Sequence, residues 1–141
     1  MRFRLNMSLP LALVDIVDDN VETLRSLGRV LSANGYRVCM FTSAAQYLKT
    51  VEEGKASCVV IGLGLRGDIS GLDLARAILA SRRAIPVIFI AGPADAPMKA
   101  QALLMGCIAY LEEPVSSELL VAAIVRSGTV TPRRPPPGPG R

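Results

Sequence analysis

The chain has 141 residues, half of them hydrophobic and a fifth charged. That is enough for one domain with a hydrophobic core, too little for two, and not the composition of a disordered chain. The net charge of +4 comes from the ends: Arg2, Arg4, Arg133, Arg134 and Arg141 are basic, while the 11 basic residues of the body face 12 acidic ones. A nucleic-acid binder carries its basic charge on the folded face, so this balance argues against direct nucleic-acid binding.

The opening M-R-F-R-L-N-M-S-L-P lacks the sustained apolar core of a signal peptide, and residues 1–10 read as an N-terminal extension. Leu11 to Val17 is a buried strand running into Asp18 and Asp19. Val21, Leu24, Leu27 and Leu31 then recur at helical spacing, stopped by Asn34-Gly35. Tyr36 to Phe41 is strand-like, and Ser43 caps a helix to about Val51. Ala56 to Ile61 is a third strand ending at Gly62, followed by a helix opening at Ser70 with Leu72, Leu74, Ala75, Ile78 and Leu79. Ile85 to Ala91 is the fourth strand, Asp95 to Met105 the fourth helix, Cys107 to Leu111 the fifth strand and Ser116 to Arg126 the fifth helix. From Thr129 the chain reads T-V-T-P-R-R-P-P-P-G-P-G-R, a tail expected to be disordered and partly polyproline II.

Residues 11–128 thus form five βα units. Their strands are continuous apolar runs, as expected where both faces of a parallel sheet are covered. Cys39, Cys58 and Cys107 lie inside such runs, with no zinc spacing and no even count for a disulfide framework, and read as reduced, buried thiols. No apolar stretch is long enough to span a bilayer, and the expected location is the cytoplasm. In open α/β sheets ligands sit at the carboxyl ends of the strands. The residues there are Asp18 and Asp19, Gly62, Ala91 and Glu113.

Five stretches are shared in order with a known family: I-V-D-D-N (Ile16 to Asn20), S-G-L-D-L (Ser70 to Leu74), I-P-V-I-F-I (Ile85 to Ile90), D-A-P-M (Asp95 to Met98) and M-G-C-I-A-Y-L-E-E-P (Met105 to Pro114). On these the body resembles response-regulator receiver domains of two-component signalling, in the branch often joined to a LuxR-type output. The resemblance implies a flavodoxin-like (βα)5 fold with a parallel five-stranded sheet in the order 2-1-3-4-5. It also implies a phosphoryl-transfer site, most of which is replaced. Asp18 and Asp19 match the acidic pair that helps hold Mg²⁺, an ion that wants an octahedron of oxygens. Gly62 stands where the acceptor aspartate attacks phosphorus. Ala91 replaces the hydroxyl residue, and Glu113 replaces the lysine that neutralises the phosphoryl group. Tyr110 matches the switch aromatic. The peptide before Pro114 is expected to be cis, as in the family.

The resulting expectation is a phosphorylation-independent pseudo-receiver, not an enzyme, with no cofactor and Mg²⁺ binding at Asp18 and Asp19 weak or lost. A conventional phosphorelay regulator is the alternative. Asp18 and Asp19 read equally as helix-capping residues with no ion, and Tyr110 as a half-buried aromatic on an edge strand. Asp68, the one acid in the loop after Gly62, reads as a turn residue rather than a substitute acceptor. Glu113 either joins the acidic pair as a third carboxylate for a cation or repels it and raises a pKa. Gly62 to Gly67 also fits G-x-G-x-x-G, so a nucleotide-binding enzyme is a further alternative, although that fingerprint belongs at the first βα turn.

Leu119 to Val125 is apolar without interruption. One side of that helix meets the sheet, and the other is expected to bind a protein partner or a second copy. The expected contact face spans the fourth helix, fifth strand and fifth helix, combining Met98, Ala102 and Met105 with Leu119, Ala122 and Val125.

Overall fold

The apolar runs become five parallel strands: β1 (Leu13–Val17), β2 (Arg37–Phe41), β3 (Cys58–Gly62), β4 (Val87–Ala91) and β5 (Ala109–Glu112). They are joined by α1 (Val21–Ala33), α2 (Ala44–Leu48), α3 (Gly71–Ala80), a 3-10 turn (Pro93–Met98) leading directly into α4 (Lys99–Leu104), and α5 (Ser117–Arg126). The computed structural model describes residues 12–50 and 54–128. The expected N-terminal extension and tail lie outside the described residues; the second helix, expected to reach about Val51, ends at Leu48 with Lys49 as its cap.

The sheet order is β2-β1-β3-β4-β5, the order expected from the sequence. Alternate residues of each strand serve two cores, which is why the strands read as unbroken apolar runs. Val14, Ile16, Val60 and Ile88 pack against Leu24, Leu27 and Leu31 of α1 and Leu120 and Ile124 of α5. Val17, Val59, Ile61 and Phe89 pack on the other side, against Tyr47 of α2, Leu74 and Ile78 of α3 and Ala102 of α4. One layer therefore holds α1 and α5, the other α2, α3 and α4. Of the cysteines expected to be buried, Cys58 is, Cys107 is half-buried, and Cys39 is exposed because it lies on β2, an edge strand with little cover.

The fourth helix departs from its expected extent. Pro97, inside the expected extent, explains the change: proline lacks an N–H and disfavours the α conformation in the residue before it. The segment from Pro93 to Met98 is accordingly a 3-10 turn, and only six residues complete α4. Pro86 likewise cannot donate to the ladder, and β4 starts at Val87 rather than Ile85.

Candidate functional site

The carboxyl ends of β1, β3, β4 and β5 meet in a polar cleft of ≈ 230 Å³ lined by Asp18, Asp19, Gly62, Asp95 and Glu113 among others. Asp18 follows β1 and is only 8% exposed. Its Oδ1 accepts a hydrogen bond from Asn20 N at 2.8 Å. Neither aspartate caps α1: Asn20 does, its Oδ1 accepting from Thr23 N at 3.1 Å. The helix begins one residue after Asn20, so the capping position falls past the acidic pair, and Asp18 closes a side-chain turn onto its neighbour's amide instead. Asp19 is exposed, and its Oδ2 accepts from Arg66 N at 3.2 Å.

Gly62 ends β3, fully buried, and Asp18 leans into the space it leaves. A β-carbon built on Gly62 overlaps Asp18 Oδ2 and lies 2.8 Å from Asp18 Cγ. The carboxylate of the acidic pair therefore stands where an acceptor side chain would start. At the end of β4, Ala91 is 1% exposed and offers a methyl group. The next amide, Gly92 N, donates to Asp95 Oδ2 at 2.8 Å. Glu113 N donates to Ala91 O at 2.8 Å, tying the β5 end to the β4 end, and the Glu113–Pro114 bond is cis as expected. The Glu113 side chain passes over Gly92, its Oε1 3.2 Å from where a β-carbon there would sit.

Four carboxylates thus share one cleft. Burial raises the pKa of Asp18, and repulsion from Asp19, Glu113 and Asp95 raises it further, against the stabilising hydrogen bond from Asn20. Glu113 is thus among the carboxylates that repel Asp18 when no cation lies between them. Among the described residues, no three His, Cys, Asp or Glu side chains group so as to hold a metal ion. Asp18 Oδ1 and Asp19 Oδ2 accept from backbone amides, which leaves one carboxylate oxygen on each toward the cleft, a sparse donor set for an ion that wants an octahedron of oxygens. Lys99 on α4 does not line the cleft. Its Nζ lies 3.5 Å from Glu112 Oε2 and 5.2 Å above the centre of the Tyr110 ring. Tyr110 is half-buried on β5, an edge strand of the sheet.

The loop after β3 corrects one pattern and clarifies another. The helix opens at Gly71 behind the cap Ser70, whose Oγ accepts from Asp73 N at 3.1 Å. Gly67 is thus four residues before the helix rather than at its start, and the dinucleotide fingerprint loses the geometry that gives it meaning. Gly71 is held by close approach, since a β-carbon there would come within 2.6 Å of Gly62 O. Asp68 is exposed and does not line the cleft.

Of the expected contact residues, Leu119, Ala122 and Val125 lie outward on α5, the first and last 59% and 53% exposed. Ala102 does not belong with them. It is fully buried beneath α4, because a helix lying on the sheet must point one residue per turn into it. The outward positions of α4 are Leu103 and Leu104, 52% and 87% exposed. Met98 and Met105 are half-buried, packed against the core.

Two acids escaped sequence reasoning. Asp95 was visible only as part of D-A-P-M, and nothing local shows that it turns back to the cleft. Asp15, inside the strand read as apolar, is 6% exposed and accepts a hydrogen bond from Tyr47 OH at 2.8 Å. An acid interrupting a strand buried on both faces signals a buried partner, but the partner lies 32 residues away.

Comparison with known proteins agrees with this geometry. Residues 14–125 match the family described as response regulator receiver domain. The chain is 31% identical over 87% of its length to the response regulator protein TmoT of Ectopseudomonas mendocina, covering 56% of that protein. It is 32% identical over 81% of its length to the transcriptional regulatory protein FixJ of Rhizobium meliloti, covering 55% of it. The chain spans about half the length of the curated relatives it matches. Among solved structures, FixJ-N is 31% identical with a TM-score of 0.76, over 84% of this chain and 94% of that one. A response regulator receiver protein from Pseudomonas putida is 26% identical with a TM-score of 0.76, over 84% and 98%.

Proposed function

The chain belongs to the response regulator receiver domain family, and from that premise we propose that it is a phosphorylation-independent pseudo-receiver of two-component-type signalling. It works through protein contact rather than turnover, in the cytoplasm. One observation carries this reading: the acceptor position is Gly62, and the Asp18 carboxylate fills the space where an acceptor side chain would begin. A phosphoryl group arriving there finds no carboxylate nucleophile, a methyl group at Ala91, and a carboxylate at Glu113 where charge neutralisation is needed. Mg²⁺ binds weakly at Asp18 and Asp19, and Tyr110 acts as a packing residue rather than a phosphorylation-driven switch.

The test is incubation with acetyl phosphate or a phosphoramidate, followed by intact-mass spectrometry. The unmodified mass is expected throughout. A base-labile, acid-stable adduct of one phosphoryl group would overturn the reading and establish the conventional phosphorelay receiver, which the overall likeness to FixJ favours.

Binding falls to the face of α4, β5 and α5. Leu103 and Leu104 on α4 and Leu119, Ala122 and Val125 on α5 present apolar side chains to solvent. Apolar surface gathered on neighbouring elements marks an interaction site more than scattered exposed residues do. The occupant is a protein partner or a second copy, engaged without regard to phosphodonor.

A further inference from the structure

Charge on the described residues is divided along the strand axis. Every described acid except the buried Asp15 lies at the carboxyl end of a strand, in a loop that follows one, or in the first turn of a helix starting there. The opposite edge is basic. Arg37 opens β2, Lys55 precedes β3, Arg82 and Arg83 precede β4, and Arg126 ends α5. Arg83 Nη2 donates to Ala56 O at 2.9 Å and Arg126 Nη2 to Ile108 O at 3.1 Å, so both guanidinium groups stand at strand starts. Arg83 also faces the buried Asp15, but among the described residues none of these cations is in an ion pair. Even counting Glu52 and Glu53, which lie outside the described residues in the connection before Lys55, cations here outnumber acids. Helix dipoles account for Glu22, Asp73 and Glu118 in first turns and for Arg126 in a last turn. They do not account for Asp18, turned toward Gly62, for Glu113, or for Arg37, Lys55 and Arg82, which lie in a strand and in loops.

We propose that the two edges meet between copies of this chain: the basic edge of one copy, led by Arg82 and Lys55, sits on the carboxylate cleft of the next. The cleft is incomplete without such a cation. Asp18 is 8% exposed, its Oδ2 points over Gly62 into the cleft, and no described donor reaches that oxygen. A carboxylate oxygen so placed has lost its water hydrogen bonds without gaining others. Arg66 is the one base among the residues lining the cleft, and it is not among the groups acting on Asp18. A guanidinium group suits the gap, because it is planar, weakly hydrated and offers several N–H donors to neighbouring carboxylates. The two edges lie at opposite ends of the strands, so no copy can bring its own Arg82 to its own cleft. The contact uses neither the apolar face of α4 and α5 nor a phosphodonor, and it stands or falls separately from the function proposed above.

The test takes Ala122→Glu as the parent chain, so that association through the apolar face is absent. Sedimentation velocity at low salt should show a mass that grows with concentration past that of a dimer, because a heterologous contact generates rings or open chains. Raising the salt should return it to the monomer. Lys55→Gln/Arg82→Gln removes one edge and Asp19→Asn/Glu113→Gln the other, at positions that are all exposed. Each variant alone should be monomeric. Their equal mixture should give a one-to-one complex and nothing larger, since each copy then offers a single working edge. A parent chain that stays monomeric at low salt overturns the proposal. So do association that survives in either variant alone, a mixture that stays monomeric, and a dimer insensitive to salt, which places the contact elsewhere.

Discussion

At the scale of single residues the site is decided by where carboxylates crowd. Gly62→Asp places a β-carbon on the Asp18 carboxylate, so Asp18 must rotate away and a fifth carboxyl group enters the cleft. The variant is expected to lose about 1–3 kcal/mol of stability at neutral pH and to gain no phosphoryl adduct. The triple variant with Ala91→Thr and Glu113→Lys should gain one by mass spectrometry, since it restores the nucleophile, hydroxyl and cation together. The second crowded acid is Asp15. Tyr47→Phe leaves its carboxylate buried without that donor and should cost about 1–3 kcal/mol in denaturant unfolding at pH 7. Burial raises the folded-state pKa of both Asp15 and Asp18. The folded form therefore holds these protons more tightly than the unfolded chain. Their contribution favours folding at low pH and is lost as pH rises from the ordinary aspartate value through the raised folded pKa. Asp15→Asn keeps an acceptor for Tyr47 without the charge. Its stability relative to the parent chain should increase across that window and level off above it.

At the scale of elements, short helices are set by their ends. Ser70 caps α3 and Gly71 lets its first turn rest on the end of β3. Ser70→Ala should cost about 1 kcal/mol through the lost cap. Gly71→Ala is expected to cost about 1–3 kcal/mol, because the added methyl meets the Gly62 carbonyl, a backbone atom that cannot turn aside. Thermal unfolding of the two variants gives the comparison, with the larger loss for Gly71→Ala. The 3-10 turn before α4 has a different origin. Pro97 keeps α4 to six residues, and Leu103 and Leu104 are exposed because they lie on its outward side.

For the whole molecule, the two layers are unequal in what they leave for others. The cores on both faces of the sheet are closed, yet α4 and α5 still carry outward leucine and valine side chains. Ala122→Glu or Leu104→Glu should abolish association through this face in light scattering, with the unfolding midpoint changed little because both positions are exposed. Association should persist in moderate salt, as expected of an apolar contact, and should be indifferent to acetyl phosphate. A strict monomer at high concentration that captures no partner would remove this face from the function.

The sequence by itself determined the architecture: continuous apolar runs separated by helical periodicities dictate a covered parallel sheet, and the shared stretches dictate its order. It also determined which residues stand at the strand ends, where an open sheet collects its ligands: Gly62, Ala91 and Glu113, the identities on which the proposed pseudo-receiver reading rests. It could not assign the cap of α1 between three adjacent polar residues, nor the core role of Ala102, because both depend on where a helix begins and how it is rotated on the sheet. Nor could it bring Asp15 to Tyr47 or Asp95 to Asp18, although it did set Glu113 beside the acidic pair at the strand ends. Those meetings join residues far apart in the chain, and only the closing of strands into one sheet sets the distances on which hydrogen bonding and repulsion depend.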